Sequence, residues 1–316
     1  MFDIILSGST QGLIWGLLAL GFYIAFRILD FADMTCEGSI TLGASVTVLC
    51  IWHGVNSFLA LPIAFLSGCV AGLVTGLLHT KLKIPPILSG ILTMSALYSI
   101  NIHVMSAATG NAGTANVSLL NFSSNTIFSI IKSIIPLTKT NVALIFGVLL
   151  TVGIISALYW FFGTELGCAI RATGNNEKMC RAQGINTDST KIIGLAIANG
   201  LIALAGAMLC QYQGYSDVKM GVGSIVIGLA SIIIGEAIFA KAKNFYLRLI
   251  GIVVGSIIYR VIVALVIFSG MPADDLKLMT AVVVVVALAF TNFRSDITRI
   301  FKKFANLFKK NKEEQE

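Results

Sequence analysis

The chain has 316 residues, of which 56% are hydrophobic and only 12% charged, with a mean hydropathy of +0.89. Soluble domains carry about 25% charged residues, so this composition excludes a soluble enzyme. A spanning helix needs about 20 mostly apolar residues, so the length allows eight to ten spans in one transmembrane domain over 1–293. The net charge of +7 does not point to nucleic acid, because seven of the 22 basic residues fall between Arg294 and Lys312. There Phe301, Phe304, Leu307 and Phe308 recur at helical spacing among lysines, the pattern of a basic amphipathic tail (294–316) lying on anionic membrane lipid.

In chain order, apolar runs predict spans at roughly 4–26, 38–52, 58–79, 86–108, 141–162, 192–213, 222–240, 249–269 and 277–293, an all-α polytopic membrane protein of about nine helices. The first run lacks a basic n-region, so it reads as a retained span rather than a cleaved signal. The seventh contains Gly223, Ser224, Gly228, Ser231 and Gly235. Close helix packing explains such a run, and a broken or re-entrant helix near 222–240 is the alternative. The connection 109–140, rich in Asn, Ser, Thr and Gly, reads as an exposed surface for a soluble partner or as a plain loop.

Basic residues orient the spans. Connections 27–37, 80–85, 163–191, 241–248 and the tail hold 17 Lys and Arg, against four in the alternate set. By the positive-inside rule the N-terminus is outside, and the tail and the 163–191 segment are cytoplasmic.

No phosphate loop, HExxH or GxSxG motif occurs, so the chain binds no nucleotide and has no catalytic site of its own. The six cysteines show no CxxC spacing and the three histidines fall on separate segments, so neither disulfides nor a metal site is expected. The candidate residues for transport are polar groups in or beside spans. Asp30, Asp33 and Glu37 are spaced to share a helix face, where they would line a translocation path; the rival is an interfacial turn in which Asp33 or Thr35 caps the second span. Glu236 and Arg260, on consecutive apolar runs, are candidates for a buried pair on the same path.

The most patterned polar stretch is 163–190. Asn175-Asn176 is a helix start, Glu177 to Gln183 can form two short helical turns, and Gly184 can end them. A short helix held between two spans at the membrane face can take force from a soluble subunit, or be an ordinary charged loop. Its sequence, LGCAIRATGN at 166–175 and AQGIN at 182–186, resembles the coupling region of ABC-importer permeases of the branched-chain amino-acid type. QGLIWGLLALG at 11–21 resembles that family's opening, although DFADM at 30–34 is more acidic than the family's NFAHG. GLASIIIGEA at 228–237 and DLKLMTA at 275–281 resemble the tryptophan/tyrosine-type importers. The resemblance covers nearly the whole chain.

It implies the membrane subunit of an ATP-driven importer for a small solute, an amino acid and in particular an aromatic one. It also implies a permease homodimer, cytoplasmic ABC ATPase subunits that bind ATP and Mg, and an extracytoplasmic substrate-binding lipoprotein. The coupling residues would be Arg171, Asn175, Glu177, Lys178, Arg181, Ala182, Gly184, Ile185 and Asn186. The alternatives are an ion-coupled secondary transporter or an ABC permease for a nucleoside or sugar. Labelling of Cys180 would report on which side this segment lies.

Overall fold

Backbone amides in hydrocarbon have no water to bond, so a chain this apolar must satisfy them within helices. The computed structural model describes residues 2–119, 126–134, 138–239, 244–268, 278 and 280–285. Helix α1 (Phe2–Phe22) continues as a π-helical turn over Tyr23–Ile28. Next come α2 (Cys36–Trp52), α3 (Ser57–Thr80) and α4 (Pro86–Thr109). A short strand β1 (Asn116–Ser118) and α5 (Ile127–Ile134) lead into α6 (Lys139–Gly163). Two polar helices, α7 (Glu165–Asn175) and α8 (Glu177–Ala182), precede α9 (Thr187–Gln213). Strand β2 (Tyr215–Asp217), α10 (Ser224–Ile238) and α11 (Phe245–Phe268) complete the described elements.

Six of these helices are long and apolar enough to cross a bilayer, and α2 and α10 are shorter apolar helices. Each of the first eight predicted runs therefore coincides with a helix. The ninth, 277–293, lies mostly outside the described residues, as does the basic tail 294–316. The connection 109–140, expected as an exposed partner surface or a plain loop, contributes the amphipathic α5 and pairs through β1 with β2, Asn116 facing Asp217 in an antiparallel ribbon.

Burial sorts the helices into layers. The α1 and α9 spans are each 83% buried, whereas those of α3, α4, α6 and α11 are 28–39% buried. The first two are the core, and the others keep a face for lipid or another subunit. Hydrophobicity does not drive helices together inside lipid, so close backbone approach has to do so. Gly68, Gly72 and Gly76, one turn apart on α3, lie against the backbone of α9 at Asn199, Leu195 and Ile192. Gly8, Gly12 and Gly16 bring α1 onto α11 in the same way.

Lengths show where the chain departs from simple spanning. At 1.5 Å per residue, the 15 residues of α10 cover about 22 Å and the 17 of α2 about 26 Å, both less than the roughly 30 Å of hydrocarbon. The far end of α2 packs with Met105, Val117 and Cys210 beside the β-ribbon, whereas the far end of α10 reaches Arg27 on the π-turn. The two helices therefore run in opposite senses from a shared junction.

The α3–α9 contact gives a direct check. A Cβ at Gly72 would meet the Leu195 carbonyl, whereas one at Gly153 on α6 would meet nothing within 4 Å. Gly72→Ala should lower the thermal unfolding midpoint of the detergent-purified protein, at a cost of about 1–3 kcal/mol. Gly153→Ala should raise it, by up to about 1 kcal/mol.

Candidate functional site

Two regions gather the polar residues. The first is the α7–α8 projection. The Thr164 hydroxyl accepts from Gly167 N–H to start α7, and the Asn176 side chain accepts from Met179 N–H at 3.0 Å to start α8. Gly184, at φ +81°, turns the chain in a conformation that side chains disfavour. The Asn186 side chain then caps α9 by accepting from Asp188 and Ser189 N–H.

Between the two caps lies a charge cluster. One oxygen of Glu177 accepts from Arg181 at 2.8 Å, and the other from Lys191 on α9 at 2.8 Å. Arg181 also donates to Thr187 at 2.8 Å and to Asp188 at 3.3 Å. Lys191 further lies 3.4 Å from the Nε2 atom of His79 on α3, whose ring packs edge-on against Phe31. The hydrogen bond from Lys191, followed by the attraction of its charge, holds the Glu177 carboxylate below the usual range. Lys178 and Ala182 face outward, Ile185 is half-buried, and Asn175 closes α7.

Arg171 lies over the Phe245 ring at 5.5 Å and donates to the Cys168 sulfur at 3.4 Å. Gly174 touches the backbone at Ile28, so α7 docks on the end of the π-turn. Cys180 is buried and Cys168 is the one exposed thiol of the six, so labelling must use Cys168 rather than Cys180.

The second region is the break between α1 and α2. The spacing argument put Asp30, Asp33 and Glu37 on one helix face; the structure separates them, because residues 29–35 are not helical and Asp30 has φ +53°. Asp30 lines a cavity of about 780 Å³ with Arg27, Arg171, Asn175, Glu236 and Arg248. Asp33 is fully buried, accepting from Thr35 N–H at 2.9 Å and from the Asn199 side chain of α9 at 2.7 Å. Ser39 of α2 donates to the same Asn199 at 2.7 Å, and the hydroxyls of Thr35 and Thr75 on α3 meet at 2.7 Å. Glu37 turns elsewhere and accepts from Gly223 N–H, just ahead of α10, at 2.9 Å.

The pair expected between Glu236 and Arg260 does not form. Glu236 holds Arg27 through two hydrogen bonds, of 2.9 and 3.2 Å, at a half-exposed position. Gly235 packs against Gly251, so Arg260 stands nine residues, about 14 Å, further along α11. There its guanidinium stacks on Trp15 at 4.0 Å. Sequence reasoning missed α7 as a helix, and it missed Asn199, Asn101 and His79, single polar residues in apolar runs with no periodic signal.

A multi-pass bundle with a short-helix junction in its core and a capped polar projection between two spans defines the membrane subunit of a transporter. Residues 4–289 match the family described as the permease component of branched-chain amino acid transport systems, and the chain belongs to that family: it is the permease of an ABC importer, a transport component that is not itself catalytic. It is 41% identical to a tyrosine transport system permease protein of Clostridioides difficile over 98% of both chains. It is 30% identical to an uncharacterized Rickettsia prowazekii protein, over 91% of this chain and 97% of that one. It is 24% identical to the ribose import permease of Escherichia coli, over 82% and 77%.

The Glu177 contact has a pH signature. Its carboxylate titrates lower when folded than when unfolded, so its contribution is present above the unfolded value, about 4.3, and is lost as pH falls through the lowered folded value. The unfolding midpoint of Glu177→Gln should therefore lie below that of the native protein at pH 7, with the gap closing below about pH 4.

Proposed function

We propose that the chain is one half of a homodimeric permease that imports an amino acid, with an aromatic side chain the favoured substrate. An extracytoplasmic lipoprotein delivers the solute, and two cytoplasmic ATPase subunits that bind ATP and Mg drive the cycle. The α7–α8 projection carries this reading. It is polar, capped at both ends and anchored by the contacts of Glu177 and Arg181 to the base of α9. An ATPase that moved it would push on α9, which packs on α3 through the glycine stripe and on Asp33 through Asn199. The similarity to a tyrosine permease supports the substrate class.

The same reading has nine spans, with the N-terminus outside and the C-terminus cytoplasmic, and α2 and α10 as half-helices. Arg27, Arg171 and Arg248 share one cavity beside α7, in keeping with a cytoplasmic face there. Lys139 donates to the Tyr212 carbonyl at the opposite end of α9, 3.1 Å away. Asp30, Asp33, Glu37, Glu236 and Arg260 are the candidate path residues, with Asp33 in a positioning role.

Two experiments test the reading. Glu177→Arg and Arg181→Glu should leave membrane insertion and basal ATPase activity intact while ATP-driven uptake of L-tyrosine in proteoliposomes falls by about fivefold or more. Full uptake in both variants, or uptake by the chain without any ATPase, would remove the coupling role. A membrane-impermeant maleimide should modify Cys168 in inside-out vesicles and not in intact cells. The reverse pattern would overturn the orientation.

A further inference from the structure

We infer that the cavity between α2, α4 and the segment leading into α10 binds the ammonium group of a small solute with an apolar body. This inference deepens the importer reading above and rests on it for the substrate's size and origin. The cavity holds about 260 Å³ and is lined by Glu37, Thr41, Met94, Ser95, Tyr98 and Asn101. Val218 and Val222 close its other wall. That volume lies just below the roughly 300–1,000 Å³ of ligand pockets for drug-sized molecules and suits one amino-acid-sized molecule.

Its position follows from the two short helices. The N-termini of α2 and α10 meet here, well inside the bundle, where the Gly223 N–H reaches Glu37. Discontinuous helices that meet within a membrane protein form solute sites because backbone and side-chain polar groups stay open there.

The chemistry is set by two acceptors. Glu37 brings a carboxylate to membrane depth, where an unpaired charge is costly, and the contact from Gly223 occupies one of its oxygens. Asn101 is 1% exposed. Its amide nitrogen donates to the Gly38 carbonyl at 3.2 Å, and since a carbonyl can only accept, this contact fixes which end of the amide is oxygen. That oxygen has no partner among the described residues. A buried acceptor left unpaired beside a carboxylate calls for a donor that carries positive charge. None of the described side chains lining the cavity is basic, so a lone carboxylate has no partner in it. Met94, the Tyr98 ring and the two valines offer apolar contact to the remainder of the ligand.

The test is thermal stabilisation of the detergent-purified full-length permease by three probes that share a phenol ring. L-Tyrosine and tyramine carry an ammonium group, and 3-(4-hydroxyphenyl)propionate does not. The first two should raise the unfolding midpoint and the third should not. Glu37→Gln and Asn101→Leu should weaken tyramine binding by about tenfold or more. Ser95→Trp, on the exposed face of α4, should fill the cavity and block both active probes without loss of folding. Equal shifts from all three probes, no shift from either amine, or full tyramine binding in Glu37→Gln together with Ser95→Trp would each overturn the assignment. ATP-driven L-tyrosine uptake that survives Glu37→Gln would sink the site and leave the importer reading standing. Amine binding without ATP-driven uptake would do the reverse.

Discussion

A fully buried carboxylate holds this fold together where its helices stop. Asp33 sits in the non-helical α1–α2 connection, and there it accepts from the backbone ahead of α2 and from Asn199 on α9. With Ser39 and the Thr35–Thr75 contact, the cluster ties α2, α3 and α9 around a single point. A carboxylate in an apolar interior is tolerated only when its lone pairs are taken up by donors. Loss of Asn199 leaves one Asp33 oxygen and the Ser39 hydroxyl buried without these partners, which costs more than the contacts themselves contribute.

From that point the geometry runs two ways. Upward, α2 begins in mid-bundle and places Glu37 within reach of Gly223, so the start of α10 is fixed against the start of α2. Downward, α9 carries Lys191 to Glu177 and to His79 on α3, and His79 packs on Phe31, two residues before Asp33. The polar projection and the buried cluster are therefore joined by two routes, the α9 helix itself and the Lys191–His79–Phe31 contacts. Both are short, and both end on the same backbone.

Much of this was legible in the sequence. Apolar runs located eight helices because spans of this length leave a strong signal in composition alone. The Asn176 cap and Gly184 placed α8 correctly, because capping chemistry is local. The acids at 30, 33 and 37 misled, since a spacing of three and four implies a shared face only where the chain is helical, and the non-helical stretch at 29–35 sends them to three environments. The Glu236 partner was equally hidden. Arg27 is 209 positions away, and adjacency in the bundle depends on how antiparallel helices register rather than on which runs are consecutive. Isolated polar residues such as Asn101 and Asn199 become informative only when the backbone they face is known.

The small β-ribbon has a mechanical corollary. Strand β2 passes directly into residues 218–223, whose last amide is the one that holds Glu37, and β1 tethers that strand to the long crossing from α4. Only a few residues, with no helix between them to absorb displacement, separate the ribbon from the interior carboxylate. A tilt imposed on the ribbon from beyond the bilayer therefore acts as a lever on the buried junction, with the Glu37–Gly223 contact as its latch.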